Sequence, residues 1–291
     1  MRFAEIGQQL RAYRLESGLR AEEIAARLGV SRAALYRYEK GEVIKLDTVK
    51  RLAELLKVSP LSLLGIGVEY YSRSVGFLER VRQIEETADQ ALQAYGSGFY
   101  LITSDAYDAA LADGLTEATN LPGIDAAAFR TNADQVLNIL AARKRLYAVR
   151  RPGIIAILSP SAIQGFLNLG MLPDLKLSDS LRARCRRVAA AEVQNVANLM
   201  ETEPMGLQFG LLTSNDASSG FSIYRTGDRA TLAANPFRAD SVPSAPTGVA
   251  TITGADEAIA AHQRVAEAMW RDAIKGPAGA ARLREMLAAR G

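Results

Sequence analysis

The chain of 291 residues contains one cysteine and one histidine, and each scarcity closes a class of chemistry. Cys185 alone cannot form an internal disulfide, and Cys185 with His262 cannot assemble a Cys/His zinc cluster. A run of ~18 or more apolar residues, the length needed to span a bilayer, is missing. The opening MRFAEIGQQLRAYR also lacks the apolar core and cleavage site of a signal peptide, so the sequence predicts a cytoplasmic protein with no membrane contact. There is no P-loop G-x-x-x-x-G-K-[ST], no G-x-G-x-x-G and no G-x-S-x-G. A single histidine closes mechanisms that need a histidine pair, internal repeats and low-complexity tracts are absent, and no cofactor is implied. The expectation is a protein that is not an enzyme.

What is present is a soluble globular composition, 48% hydrophobic and 23% charged. The net charge of +3 is unevenly placed. Residues 1–65 hold 12 Lys/Arg against 8 Asp/Glu, and residues 66–291 hold 23 against 24. A basic end attached to a near-neutral remainder is what a nucleic-acid-binding module joined to a partner domain looks like.

The basic end reads as five short helices. Phe3, Ile6, Leu10 and Tyr13 make one helical stripe that Gly18 can end, and Ile24, Ala25 and Leu28 make a second that Gly29 can end. In GVSRAALYRYEKG, residues 29–41, Ser31 is placed as an N-cap, Leu35 and Tyr38 point inward, and Gly41 follows as a stop. LDTVKRLAELLKV is a fourth helix, and SPLSLLG a short fifth with Ser59 as cap and Pro60 at the first helical position. Ala25 is small enough for the second and third helices to cross closely. Val30 and Leu35 hold the third helix on the core, which frees its outer face: Arg32, Ala33, Tyr36, Arg37 and Lys40. A helix of this width fits the major groove, where arginine can donate two hydrogen bonds to guanine.

The stretch RLESGLRAEEIAARLGVSRAALYRYEKGEVIKLDTVKRLAELLKVSPLSLL resembles the helix-turn-helix domain of the lambda-repressor/Cro type, the XRE family. The resemblance covers about a fifth of the chain. It implies that Arg32, Ala33 and Arg37 face base edges and that Ser31, Tyr36 and Lys40 meet backbone phosphates. It also implies a partly buried ion pair between Arg14 and Glu39 that braces the first helix against the third. The family's usual glutamine at the start of the second helix is replaced by Ala21, so Arg20, and Lys45 after the third helix, are the substitute phosphate contacts.

GIGVEYYS, residues 65–72, reads as a domain boundary. Beyond it Tyr70, Ser74, Phe77, Val81, Ile84, Ala88, Ala91 and Tyr95 alternate steps of four and three, a heptad seam. The seam (Phe77, Val81, Ile84, Ala88, Ala91, Tyr95) fits a dimer interface or packing on the same chain. The expected organisation is multidomain: an all-α lambda-repressor-like domain at 1–66, a connecting and dimerisation helix at 67–95, and an α/β or α+β domain at 96–291. Strand-like runs begin at 99, 153, 206, 220, 229 and 248, with helical runs near 104–117, 130–150, 160–170, 178–202 and 254–275. The three runs between 206 and about 234 are consecutive, which predicts a partly antiparallel sheet. ADSVPSAPTG, 239–248, reads as a loop.

Other reactive groups have ordinary readings beside functional ones. Cys185 sits among Arg182, Arg184, Arg186 and Arg187, which fits a lowered-pKa thiol or a buried small hydrophobe. His262 falls in an amphipathic helix as a hydrogen-bonded histidine, and Asp105, Asp108, Glu201 and Glu203 lie at helix ends, where acids are commonplace. The order of elements, GLQFGLLTSNDASSGFSIYRTGDRATLAANPF and AEAMWRDAI resemble the phospholipase-D-like effector domains of some bacterial regulators; H-x-K-x-x-x-x-D is absent, so that resemblance implies binding only. The expected function is sequence-specific regulation of transcription by a homodimer on near-palindromic double-stranded DNA in the bacterial nucleoid. The large domain then senses a small-molecule effector or holds the oligomer. Two other readings are a DNA-targeted or autoregulating enzyme and a ligand-free architectural or polymerase-contacting regulator.

Overall fold

The structure, a computed structural model, describes residues 3–94, 100–213, 220–237 and 248–289. The basic end folds as five helices: α1 (Phe3–Ser17), α2 (Ala21–Leu28), α3 (Arg32–Glu39), α4 (Leu46–Leu56) and α5 (Pro60–Leu63). The local chemistry sets their ends. Gly29 leaves α2 at φ 70°, and Ser59 Oγ accepts from the amides of Leu61 and Ser62 with Pro60 in the first turn. Leu10, Tyr13, Ile24, Leu35 and Leu52 meet in the centre at 1% exposure or less.

The expected helix from 67 to 95 is instead a strand, a helix and a strand: β1 (Val68–Tyr71), α6 (Ser74–Glu85) and β2 (Gln90–Ala94). Its seam does not face a partner. Phe77, Val81 and Ile84 on α6 are buried in their own chain, as are Ala88 and Ala91. Tyr95 lies outside the described residues. The reason is that α6 is enclosed nearly all round, with Glu79, Gln83 and Glu85 buried beside the apolar residues, which is the mark of a core helix rather than a zipper.

The remaining elements are a 3-10 turn (Tyr100–Ile102), α7 (Asp105–Ala118), α8 (Ala126–Arg150), β3 (Gly153–Leu158), α9 (Pro160–Leu169), α10 (Asp179–Thr202), β4 (Leu207–Leu211), β5 (Gly220–Thr226), β6 (Arg229–Asn235), β7 (Ala250–Thr253), α11 (Asp256–Asp272), β8 (Ile274–Lys275) and α12 (Gly276–Ala288). One mixed sheet of eight strands runs β1-β7-β6-β5-β2-β3-β4-β8. β2, β3 and β4 are parallel neighbours joined by helical crossovers, and the other pairings are antiparallel. One face shares a core with α6 to α10 and α12. On the other, Ile259, Ala266 and Met269 of α11 cover Ile157, Ile223 and Leu232.

Several expectations are corrected here. The run after Phe99 makes the 3-10 turn, and Phe99 itself lies outside the described residues. β4 does not pair with β5, because β2 and β3 lie between them; only β5 and β6 form the expected hairpin. Consecutive strands separated in the sheet are a non-local arrangement that no local pattern encodes. Most of the loop expected at 239–248 lies outside the described residues.

The five-helix unit is mounted on the α/β body without a linker. α1 and α6 run antiparallel: Glu16 meets the start of α6, Arg11 its middle and Gln8 its end. Glu16 accepts from the amides of Ser72 (2.6 Å) and Arg73 (3.1 Å) and so caps α6 from another helix. Arg11 Nε lies 2.7 Å from Glu79 Oε1, and Gln83 donates to Gln8 O at 3.1 Å. Beneath them Glu69 accepts from Gln9 (2.7 Å), Tyr71 (2.6 Å) and Arg80 (3.0 Å). Tyr13 of α1 stacks on Tyr71 of β1 at 5.3 Å between ring centroids. Burial pushes the Glu79 carboxyl up, but the hydrogen bond from Arg82 and the charge of Arg11 outweigh it and leave Glu79 below the usual carboxylate range.

Candidate nucleic-acid interface

α3 is aimed by a short chain of local decisions. Val30 N–H returns to Ala25 O at 3.0 Å and tightens the turn, and Ser31 Oγ accepts from Ala34 N–H at 3.1 Å to start the helix. Leu35 then shares one core with Ala21, Ile24, Ala25 and Leu28, and Ala34 is buried next to it in the helix. The far end is fixed by α1, which approaches so closely that a Cβ on Gly7 would lie 2.6 Å from Glu39 O. Arg14 and Glu39 add a bidentate ion pair, Nε–Oε1 at 2.5 Å and Nη2–Oε2 at 3.1 Å, with side chains 12% and 4% exposed. Burial pulls the Arg14 guanidinium down, and Glu39 more than reverses it.

The opposite face carries the residues read from the sequence. Arg32, Ala33, Arg37 and Lys40 are exposed, with Ser31 at the head of the helix and Tyr36 half-buried between the two faces. The Arg32 guanidinium stands over the Tyr36 ring, 5.4 Å from its centroid. Lys45 is exposed at the start of α4, and Arg20, ahead of α2, folds back on Glu23 with its Nη2 3.1 Å from Oε1. Four further residues were not singled out in the sequence. Glu22 lies 2.7 Å from Arg32, Glu42 lies 3.1 Å from Arg37, and the apolar Val43 and Leu46 are exposed in and after the same loop. Glu22 lies on another helix and Glu42 beyond the end of α3, so neither leaves a periodic signal and only the fold reveals these pairings.

The structure also places the other reactive groups read from the sequence. Cys185 is fully buried, and burial raises its thiol despite Arg182 and Arg184, which favours the buried small hydrophobe over the lowered-pKa thiol. His262 Nδ1 lies 2.8 Å from Ala258 O, and its ring meets Phe221 edge-on. Asp108 is bound by Lys144 and Glu201 by Arg284. Among the described residues, no helix is long and apolar enough to cross a membrane.

The fold and this surface define a helix-turn-helix DNA-binding domain, with α2 and α3 as its two crossing helices, joined to an α/β body. A family model described as a helix-turn-helix domain matches residues 5–64, consistent with the XRE-type resemblance of this stretch. The match ends where β1 and the body begin. No curated protein and no solved structure matches the chain.

Proposed function

We propose that the protein regulates transcription as a homodimer on near-palindromic DNA, with α3 of each protomer in the major groove of one half-site. Arg32, Ala33 and Arg37 read base edges, while Arg20, Ser31, Tyr36, Lys40 and Lys45 contact phosphates. The observation that carries this reading is the division of α3, whose inner face is pinned by Leu35 and the Arg14–Glu39 pair while its outer face presents two arginines. Pairing follows from energetics: one such domain gains most of its affinity from salt-sensitive phosphate contacts, and two recognition helices about 34 Å apart read successive major grooves. The α/β body senses a small ligand or holds the oligomer, and a ligand acts by binding one spacing of the two helices better than another.

The test is a pair of substitutions measured against a duplex selected by the wild-type protein and against a random one. Arg37→Ala loses about 1–3 kcal/mol of discrimination at one base pair, whereas Lys40→Ala weakens both duplexes and reduces the salt slope by about 1. Equal affinity of the wild type for both duplexes refutes the reading. Thermal shift against metabolite pools separates a sensor from an oligomer scaffold, since ligand binding to the folded state raises stability with concentration.

A further inference from the structure

The two arginines assigned to bases are each held by a carboxylate in the free protein. Glu22 on α2 takes Arg32 through Nη1 at 2.7 Å, and Glu42, just beyond α3, takes Arg37 through Nε at 3.1 Å. All four side chains are 53–60% exposed, so neither pair exists to satisfy a buried charge. Lys40 and Lys45, assigned to phosphates, pair with no carboxylate among the described residues. Arg20 pairs with Glu23, but that contact belongs to the start of α2, where Glu23 also accepts the Arg20 amide.

A guanidinium has five N–H donors in a planar fork, and recognition of guanine O6 and N7 needs only two. Arg37 meets Glu42 at Nε and has both terminal nitrogens left over; Arg32 meets Glu22 at Nη1 and has Nε and Nη2 left over beside the Tyr36 ring. Each arginine can therefore hold its carboxylate and a guanine edge together. A phosphate is different. To reach it the arginine must leave its carboxylate or bring that negative charge against the DNA backbone.

Resting on the reading above of Arg32 and Arg37 as base readers, we infer that Glu22 and Glu42 are positioning residues that raise sequence discrimination by withholding those arginines from phosphates. Their cost falls on random DNA, where phosphate contact is the main source of affinity. On the selected duplex the same carboxylates hold the arginine forks in place and reduce the ordering that binding requires.

The experiment uses the full chain, a duplex enriched by the wild-type protein from a randomised library, and a random-sequence duplex. Glu22→Gln and Glu42→Gln each raise affinity for the random duplex by up to about fivefold, the most an exposed ion pair is worth. Each steepens the dependence of log K on log salt there by ~0.9. The ratio of selected to random affinity falls accordingly. Glu22→Asp and Glu42→Asp keep the charge and restore the wild-type slope, which a merely structural role would not produce. Glu257→Gln, the same charge change on α11 in the body, leaves the slope where it was. An unchanged slope in both glutamine variants, or an equal change in the Glu257 control, overturns the inference. If Arg37→Ala still loses discrimination in that case, base reading stands and only the role of the carboxylates fails; if Arg37→Ala keeps discrimination, the underlying reading fails.

Discussion

Replacing Gly76 by alanine sets two opposed effects against each other at the joint between α1 and α6. Alanine is a better helix former than glycine by about 1 kcal/mol, and on an exposed helix the change would stabilise. At this position the new Cβ lies 2.7 Å from Glu16 Cβ and 3.0 Å from Glu16 Cα, well inside the separation at which carbon atoms attract. Glu16 cannot swing aside freely, because its carboxylate caps α6 at Ser72 and Arg73. Overpacking costs about 1–3 kcal/mol, and loosening the cap adds about 1 kcal/mol, which the helix propensity then offsets. The net expectation is a loss of about 1–3 kcal/mol, or a Tm lower by roughly 2–4 °C for each of them in a domain of about this size. Thermal unfolding reads the loss, and hydrogen exchange locates it: the amides of α1 and α6 exchange faster while those of β3 stay protected. A Tm at or above that of the wild type refutes the argument that Glu16 leaves no room for a Cβ at this position.

Three further outcomes follow from the buried groups. Glu79 is held below its ordinary pKa, so its contribution is complete above the unfolded carboxylate value of about 4.3 and is lost as pH falls through the depressed folded value. Exchange in α1 and α6 should accelerate over that acid range, and Glu79→Gln should flatten the response. Arg143 and Glu85 form a buried bidentate pair at 2.8 Å, so Arg143→Met strands a carboxylate and costs about 3–5 kcal/mol, while adding Glu85→Leu recovers most of it in denaturant unfolding. Cys185 is fully buried with a raised thiol, so a thiol reagent should label the native chain only as fast as it unfolds; immediate stoichiometric labelling would contradict that burial.

The N-terminal unit was legible almost residue by residue because its determinants are local. Ser31, Ser59, Pro60 and Gly29 act within a few residues of themselves, and the apolar spacing of Ile24, Ala25 and Leu28 needs only one helix to be seen. The body was legible in α7 to α11 and in β3 to β7. It failed where a tertiary neighbour decides. Phe77, Val81 and Ile84 do follow a helical stripe, but Tyr70 before it and Ala91 after it belong to strands that happen to continue the spacing. β2, QALQA, holds no β-branched or aromatic residue and becomes a strand because β3 and β5 flank it. VEYY was the signal that could have revealed β1, and Pro277 in the first turn of α12 the one that could have revealed that helix. On the interface, Arg32, Ala33 and Arg37 were readable from their face of α3, whereas Glu22 and Glu42 became visible only when folding brought them beside those arginines.

The antiparallel seating of α1 on α6 also bears on how the protein measures DNA. A reader on a flexible tether tolerates half-sites at many separations, since the tether stretches and twists to follow them. Here there is no tether: α1 is bonded to β1 and α6 along its length, and β1 is already part of the sheet. In the proposed dimer, one base pair inserted between half-sites shifts the second by about 3.4 Å and turns it by about 34–36° around the duplex. The seating offers no joint that can absorb such a turn. In that dimer spacing would become part of the address, and an operator lengthened by one step would be a wrong site even with every contacted base right.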